Sequence, residues 1–152
     1  MRISILAGTI GALLTGIGIG IQSTITSRVG SQIGDVRTGL LTNFLGGLIA
    51  GSLCLLLLLR EGPDLWRIQG KIIGLVALAG LLGIAIITGI SFSLQRAGIA
   101  AGLATVILGQ LILSVIIDSF GIGGVEPIPF SFQRAFGLLL MGCGVYFLLP
   151  KS

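Results

Sequence analysis

The chain has 152 residues, 54% of them hydrophobic and 9% charged, with a mean hydropathy of +1.14; soluble domains carry about 25% charged residues, so a soluble fold is excluded and an integral membrane protein is implied. The net charge of +4 is scattered over short connections with no polybasic cluster, which argues against nucleic acid as a partner. There is no His and no CxxC, and Cys54 and Cys143 sit in apolar blocks where a thiol acts as a small hydrophobe, so zinc, haem and disulfide chemistry find no support and no cofactor is expected.

The apolar residues fall into five blocks of roughly 20 residues, each long enough to cross about 30 Å of hydrocarbon at 1.5 Å per residue. Spans are predicted at about 3–27, 38–59, 72–94, 98–119 and 132–149 of a single transmembrane domain covering 1–152. The expected fold is all-α, a polytopic bundle of five transmembrane helices; a transmembrane β-barrel would show shorter alternating segments. Arg2 ahead of the first run resembles a signal-peptide start, but the run is long, Gly-rich and without a clear small-x-small cleavage site, so a retained first span is expected.

Span one carries Ser4, Gly8, Gly11, Thr15, Gly18 and Gln22 at helical spacing, with Gly16 and Gly20 on a neighbouring face. Small-xxx-small faces let backbones approach closely in lipid, so helix packing is the first reading of this stripe and solute lining the second. The polar run STITSRVGSQIGD then takes the chain out of the membrane by Arg28 to Asp35, and the short loop makes spans one and two antiparallel neighbours. Span two holds Asn43 and the pair Gly47 and Gly51; an intramembrane Asn serves as interhelical glue, worth about 0.6–2 kcal/mol, or as a ligand contact.

The segment REGPDLWRIQGK is an aqueous loop with a Gly-Pro turn and with Trp66 at headgroup level. Span three ends in another polar stripe, Thr88, Ser91 and Gln95, and Arg96 then Gly98 mark a tight connection. Span four places Gln110, Ser114 and Asp118 four residues apart, so successive members drift by only about 40° around the helix and form one polar stripe on an apolar rod. An ionisable residue in hydrocarbon is costly unless it reaches water, a partner or a cavity. The Gly and Pro residues of SFGIGGVEPIPFSFQR exclude a continuous helix there. Span five, with Arg134 at its entry, has few polar groups and reads as a packing or subunit-contact helix.

Five spans place the termini on opposite sides. Arg2, Arg60, Arg67, Lys71 and Arg134 fall on the N-terminal side, and Arg28, Arg37, Arg96 and Lys151 on the other, accounting for all nine cations. The positive-inside rule acts on the difference between these counts, which is one, so orientation is weakly specified. Such balance arises by chance in a small protein, and it is also what a chain inserting both ways would show. Two opposed copies would reproduce the inverted repeat of many secondary transporters.

Gly98, the pair Gly109 and Gln110, Asp118 and the following Phe120 and Gly121, supported by Gln22, Phe44, Gly47 and the Arg134, Gly137, Gly142 pattern, resemble the half-size, five-helix YdcZ-type family of the drug/metabolite transporter superfamily. The resemblance covers nearly the whole chain. Thr26, Gln95 and Ser119 depart from it, standing where that family has Asn, Pro and His. It implies a multi-pass inner-membrane protein, half of a ten-helix inverted-repeat transporter, moving small organic solutes by alternating access as a homodimer or with a paralogous partner.

On that reading Gln22, Asn43, Ser91, Gln110 and Ser114 line a polar cavity and contact the solute by hydrogen bonds. Asp118 has two readings: a proton-coupling or cation-attracting group, or one paired with Arg96 or Arg134 as a gate; and, since it lies near the end of its span, a group that reaches interfacial water or caps the FGIGG corner. A non-transporting subunit of a larger membrane complex is the alternative function. An intramembrane enzyme is not expected, because one membrane-region Asp without His supplies neither paired aspartates, nor a zinc motif, nor a Ser-His pair.

Overall fold

The computed structural model describes residues 2–62, 67–122 and 126–151, with side chains from residue 5. Five helices follow one another: α1 (Arg2–Ile33), α2 (Asp35–Glu61), α3 (Gly70–Ala97), α4 (Ile99–Phe120) and α5 (Phe132–Leu148). Helices α1 to α4 are each long and apolar enough to cross a membrane. Helix α5, with 17 residues, reaches about 26 Å at 1.5 Å per residue, the short end of the spanning range. Trp66, with Pro63 and Asp64 of its loop, and residues 123–125 of the second corner lie outside the described residues.

The polar run after Gln22 is helix, not loop. Its hydroxyls fold back on the chain: Thr24 Oγ1 donates to the Gly20 carbonyl at 2.9 Å and Thr26 Oγ1 to the Gln22 carbonyl at 2.7 Å. Local bonds of this kind satisfy polar side chains without breaking the helix. The connection to α2 is then Gly34 alone, at φ 89° and ψ 151°, a region open essentially only to glycine. Gly98 makes the same one-residue joint between α3 and α4, at φ 79° and ψ 163°. Helix α4 ends at Gly121 in the left-handed conformation, where the Asp118 carbonyl accepts from Gly121 N and from Ile128 N. Helix α5 starts at the N-cap Ser131, whose hydroxyl accepts from Arg134 N.

The chain divides into two compact units, Met1–Phe92 and Ser93–Ser152, with α3 crossing the boundary. In the first unit α1 packs on α2, and the buried residues are small or hydroxylic: Ser23, Thr26, Ser27 and Gly30 on α1, Thr38 and Gly39 on α2, Ser91 on α3. In the second unit α4 packs on α5, and Leu94 and Ala101 are buried beside the Gly98 joint. Most large apolar side chains are exposed in both units. That is the inverse of a soluble core and the expected state of helices whose outer surface is lipid.

Candidate functional site

In the first unit, α2 meets α3 along a polar seam. Asp35, in the first turn of α2, accepts a 2.6 Å hydrogen bond from Ser91 Oγ, and Ser91 is fully buried. One turn on, a Cβ at Gly39 would land on Thr88 Oγ1 and 2.9 Å from the Ile84 carbonyl, so the helices touch backbone to side chain. One turn further, Asn43 Nδ2 donates to the Gly39 carbonyl at 2.9 Å, and its Oδ1 lies 3.0 Å from where a Cβ of Gly83 would stand. The row Asp35, Gly39, Asn43 follows the i, i+4 spacing that aligns side chains on one helix face. A carboxylate there also suits the positive end of the helix dipole.

The structure therefore places Ser91 and Asn43 in this seam. Ser91 is held by Asp35, and Asn43 binds its own helix. Thr88, from the polar stripe of span three, faces Gly39, while Gln95 and Arg96 are exposed. Gln22 stands exposed on α1, beside buried Ser23 and Thr26.

In the second unit, Gln110 and Ser114 are exposed on α4, and Ser114 Oγ donates to the Gln110 carbonyl at 2.8 Å. Asp118 completes their stripe and lies 3.4 Å from Arg134 at the start of α5, the two side chains being 35% and 26% exposed. The bonds that close the corner go to the backbone carbonyl of Asp118, which leaves its carboxylate available to Arg134. A second guanidinium nitrogen, Arg134 Nη1, is buried without a hydrogen-bond partner. Between α4 and α5 runs an apolar groove with a cavity of about 770 Å³, reaching from Phe130 and Ala135 to Tyr146 and Phe147.

Residues 7–147 match the profile of a family described as "Putative inner membrane exporter, YdcZ", a branch of the drug/metabolite transporters. The chain belongs to the YdcZ-type family. It is accordingly a multi-pass protein of the inner membrane, and the match reaches into all five helices and takes in every site residue named above. Comparison with curated proteins and with solved structures returned no significant match. Within this YdcZ-type chain, Asp35 is the polar residue that sequence reasoning assigned to a loop. The signal that carries it onto α2 is the row Asp35, Gly39, Asn43, Gly47 and Gly51, unbroken at intervals of four.

Proposed function

We propose that the protein exports a small organic solute by alternating access, as two copies in opposite orientation or with a paralogous partner. One observation carries the reading: Gln110 and Ser114 are exposed, in line with half-buried Asp118, on a helix long and apolar enough to span the membrane. Polar side chains facing hydrocarbon are costly, whereas the same groups lining a shared aqueous cavity are not. Ser114 is back-bonded to its own helix, but the Gln110 amide is a four-site group that only a cavity or a partner satisfies. The near balance of cations across the membrane supports the opposed arrangement, which would bring two five-helix halves around one midplane site. The family's description supplies the direction, outward.

On this reading Gln22, Asn43, Gln110 and Ser114 contact the solute. Ser91, bonded to Asp35, orients the α2–α3 wall and contributes to binding through it. Asp118 with Arg134 forms a gate or coupling pair, and Arg96 is a second gating candidate. The test is flux from proteoliposomes containing the purified chain, across a panel of small organic cations, anions and neutral solutes. Gln110→Ala and Asp118→Asn are expected to reduce flux while leaving the protein folded and monodisperse. Undiminished flux in both variants would remove them from the site. No flux with any solute, together with stable capture by a larger complex, would favour the non-transporting subunit.

A further inference from the structure

The groove between α4 and α5 is almost wholly apolar, and it continues toward the end of α4 as a second cavity of about 350 Å³ that shares Ile112, Phe130 and Leu138 with the first. Its walls on α5 run from Ala135 to Phe147, about 18 Å at 1.5 Å per residue, against about 15 Å for one leaflet's half of the hydrocarbon. Arg134 lies one turn before Leu138 and two before Gly142 on the same helix row, and Asp118 lies one turn from Val115 on α4, so the ion pair flanks the end of the groove. Both charges are in the terminal turns of their helices.

We propose that this groove seats one acyl chain of a glycerophospholipid whose headgroup carries a primary ammonium, with its phosphate on Arg134 and its ammonium on Asp118. Moving an acyl chain from bulk lipid into an apolar groove brings no hydrophobic gain, so the headgroup decides which lipid stays. The end of the groove is flanked by one positive and one negative group, which disfavours a net anion and matches a zwitterion. Arg134 has an unused nitrogen, Nη1, and the residue is 26% exposed, so a rotation of its flexible stem delivers that nitrogen to a phosphate.

The test is native mass spectrometry of the delipidated, detergent-purified full chain incubated with phosphatidylethanolamine, phosphatidylcholine or phosphatidylglycerol of equal chain length. Phosphatidylethanolamine is expected to be retained about tenfold over the other two, the worth of one charge-assisted hydrogen bond. Phosphatidylcholine has no ammonium N–H for Asp118, and phosphatidylglycerol has no cation. Arg134→Gln should abolish the preference. Gly142→Leu, which adds a side chain where the groove is open, should lower retention of all three lipids and keeps the test valid if Arg134→Gln fails to fold. Equal retention of the three lipids, or retention unchanged by Gly142→Leu, overturns the proposal. So does efficient Cys143-to-Cys143 cross-linking between copies with lipid excluded, since Cys143 lies in the groove and a second copy would then be its occupant. The readout is binding rather than flux, so the outcome is independent of the transport reading.

Discussion

Replacing Gly39 by Ala tests whether the α2–α3 seam holds the first unit together. The added Cβ would fall on Thr88 Oγ1 and 2.9 Å from the carbonyl of Ile84. Thr88 can turn its hydroxyl away, but the backbone of α3 can only recede, and overpacking of this kind costs about 1–3 kcal/mol. A glycine-to-alanine change inside a helix also brings up to about 1 kcal/mol in the opposite sense. Gly47→Ala separates the two effects, because Gly47 lies on the same row of the same helix with nothing within 4 Å of its would-be Cβ. Thermal unfolding in detergent supplies the measurement, at about 2–4 °C per kcal/mol on the soluble-protein scale for a chain of this length. Gly39→Ala is expected to unfold several degrees below Gly47→Ala. Adding Thr88→Ala should recover part of the loss, the Ile84 carbonyl accounting for the rest. If Gly39→Ala and Gly47→Ala unfold together, the close approach of α2 and α3 is not what stabilises the unit.

Ser91→Ala removes the donor to Asp35 and should destabilise by about 1.5 kcal/mol, the low end for a hydrogen bond to a charged group, because Asp35 is only half-buried and water can replace the hydroxyl. Asp35→Asn keeps an acceptor oxygen and should cost less; a double-mutant cycle that finds no coupling would rule the contact out as a stabilising one. Gly98→Ala forces a side chain into a backbone region that glycine alone occupies freely, at a cost of about 1–3 kcal/mol, and thermal unfolding unchanged from the wild type would refute the one-residue joint. Lys at both Ile68 and Gln69 makes the N-terminal-side count seven against four instead of five against four. A C-terminal topology reporter should then reside on one side of the membrane only, and a population that stays mixed would refute control of orientation by these charges.

The helices were legible because hydropathy and length decide a membrane span, and the polar stripe of α4 was legible because Gln110, Ser114 and Asp118 repeat at the helical period. The extent of α1 was not. Residues 23–33 are polar by composition, and Thr24 and Thr26 satisfy their hydroxyls inside the helix on carbonyls four residues back, which no hydropathy pattern records. Asp35 was missed for the same reason: once the run is read as loop, its carboxylate falls outside any span. The pairing of Asp118 with Arg134 was one of two partners open to it, and the choice between Arg96 and Arg134 depends on how the corner at residues 121–131 returns the chain, which turn residues signal without fixing. Ser91 shows a further limit. Its place on a polar stripe was readable, but the acceptor that holds it lies 56 positions away.

The row on α2 changes character along its length. Asp35, Gly39 and Asn43 meet α3, while Gly47 and Gly51, the next members at the same spacing, have open space where a Cβ would stand. Helix α1 repeats the pattern: Ser23 and Ser27 are buried, while Gly16 and Gly20, the preceding members of the same face, have nothing within 4 Å. In lipid a glycine face gains nothing by exposure, since acyl chains supply contact of similar quality to any apolar side chain; its use is to let another backbone come close. A helix tied to its own chain at one end and presenting the same small face unmet beyond it therefore offers a surface that another helix can approach closely. In the proposed opposed arrangement a two-fold axis in the membrane plane sets the two copies' unmet faces in opposite leaflets, so each would pack on the partner's tied end and not on its own equivalent.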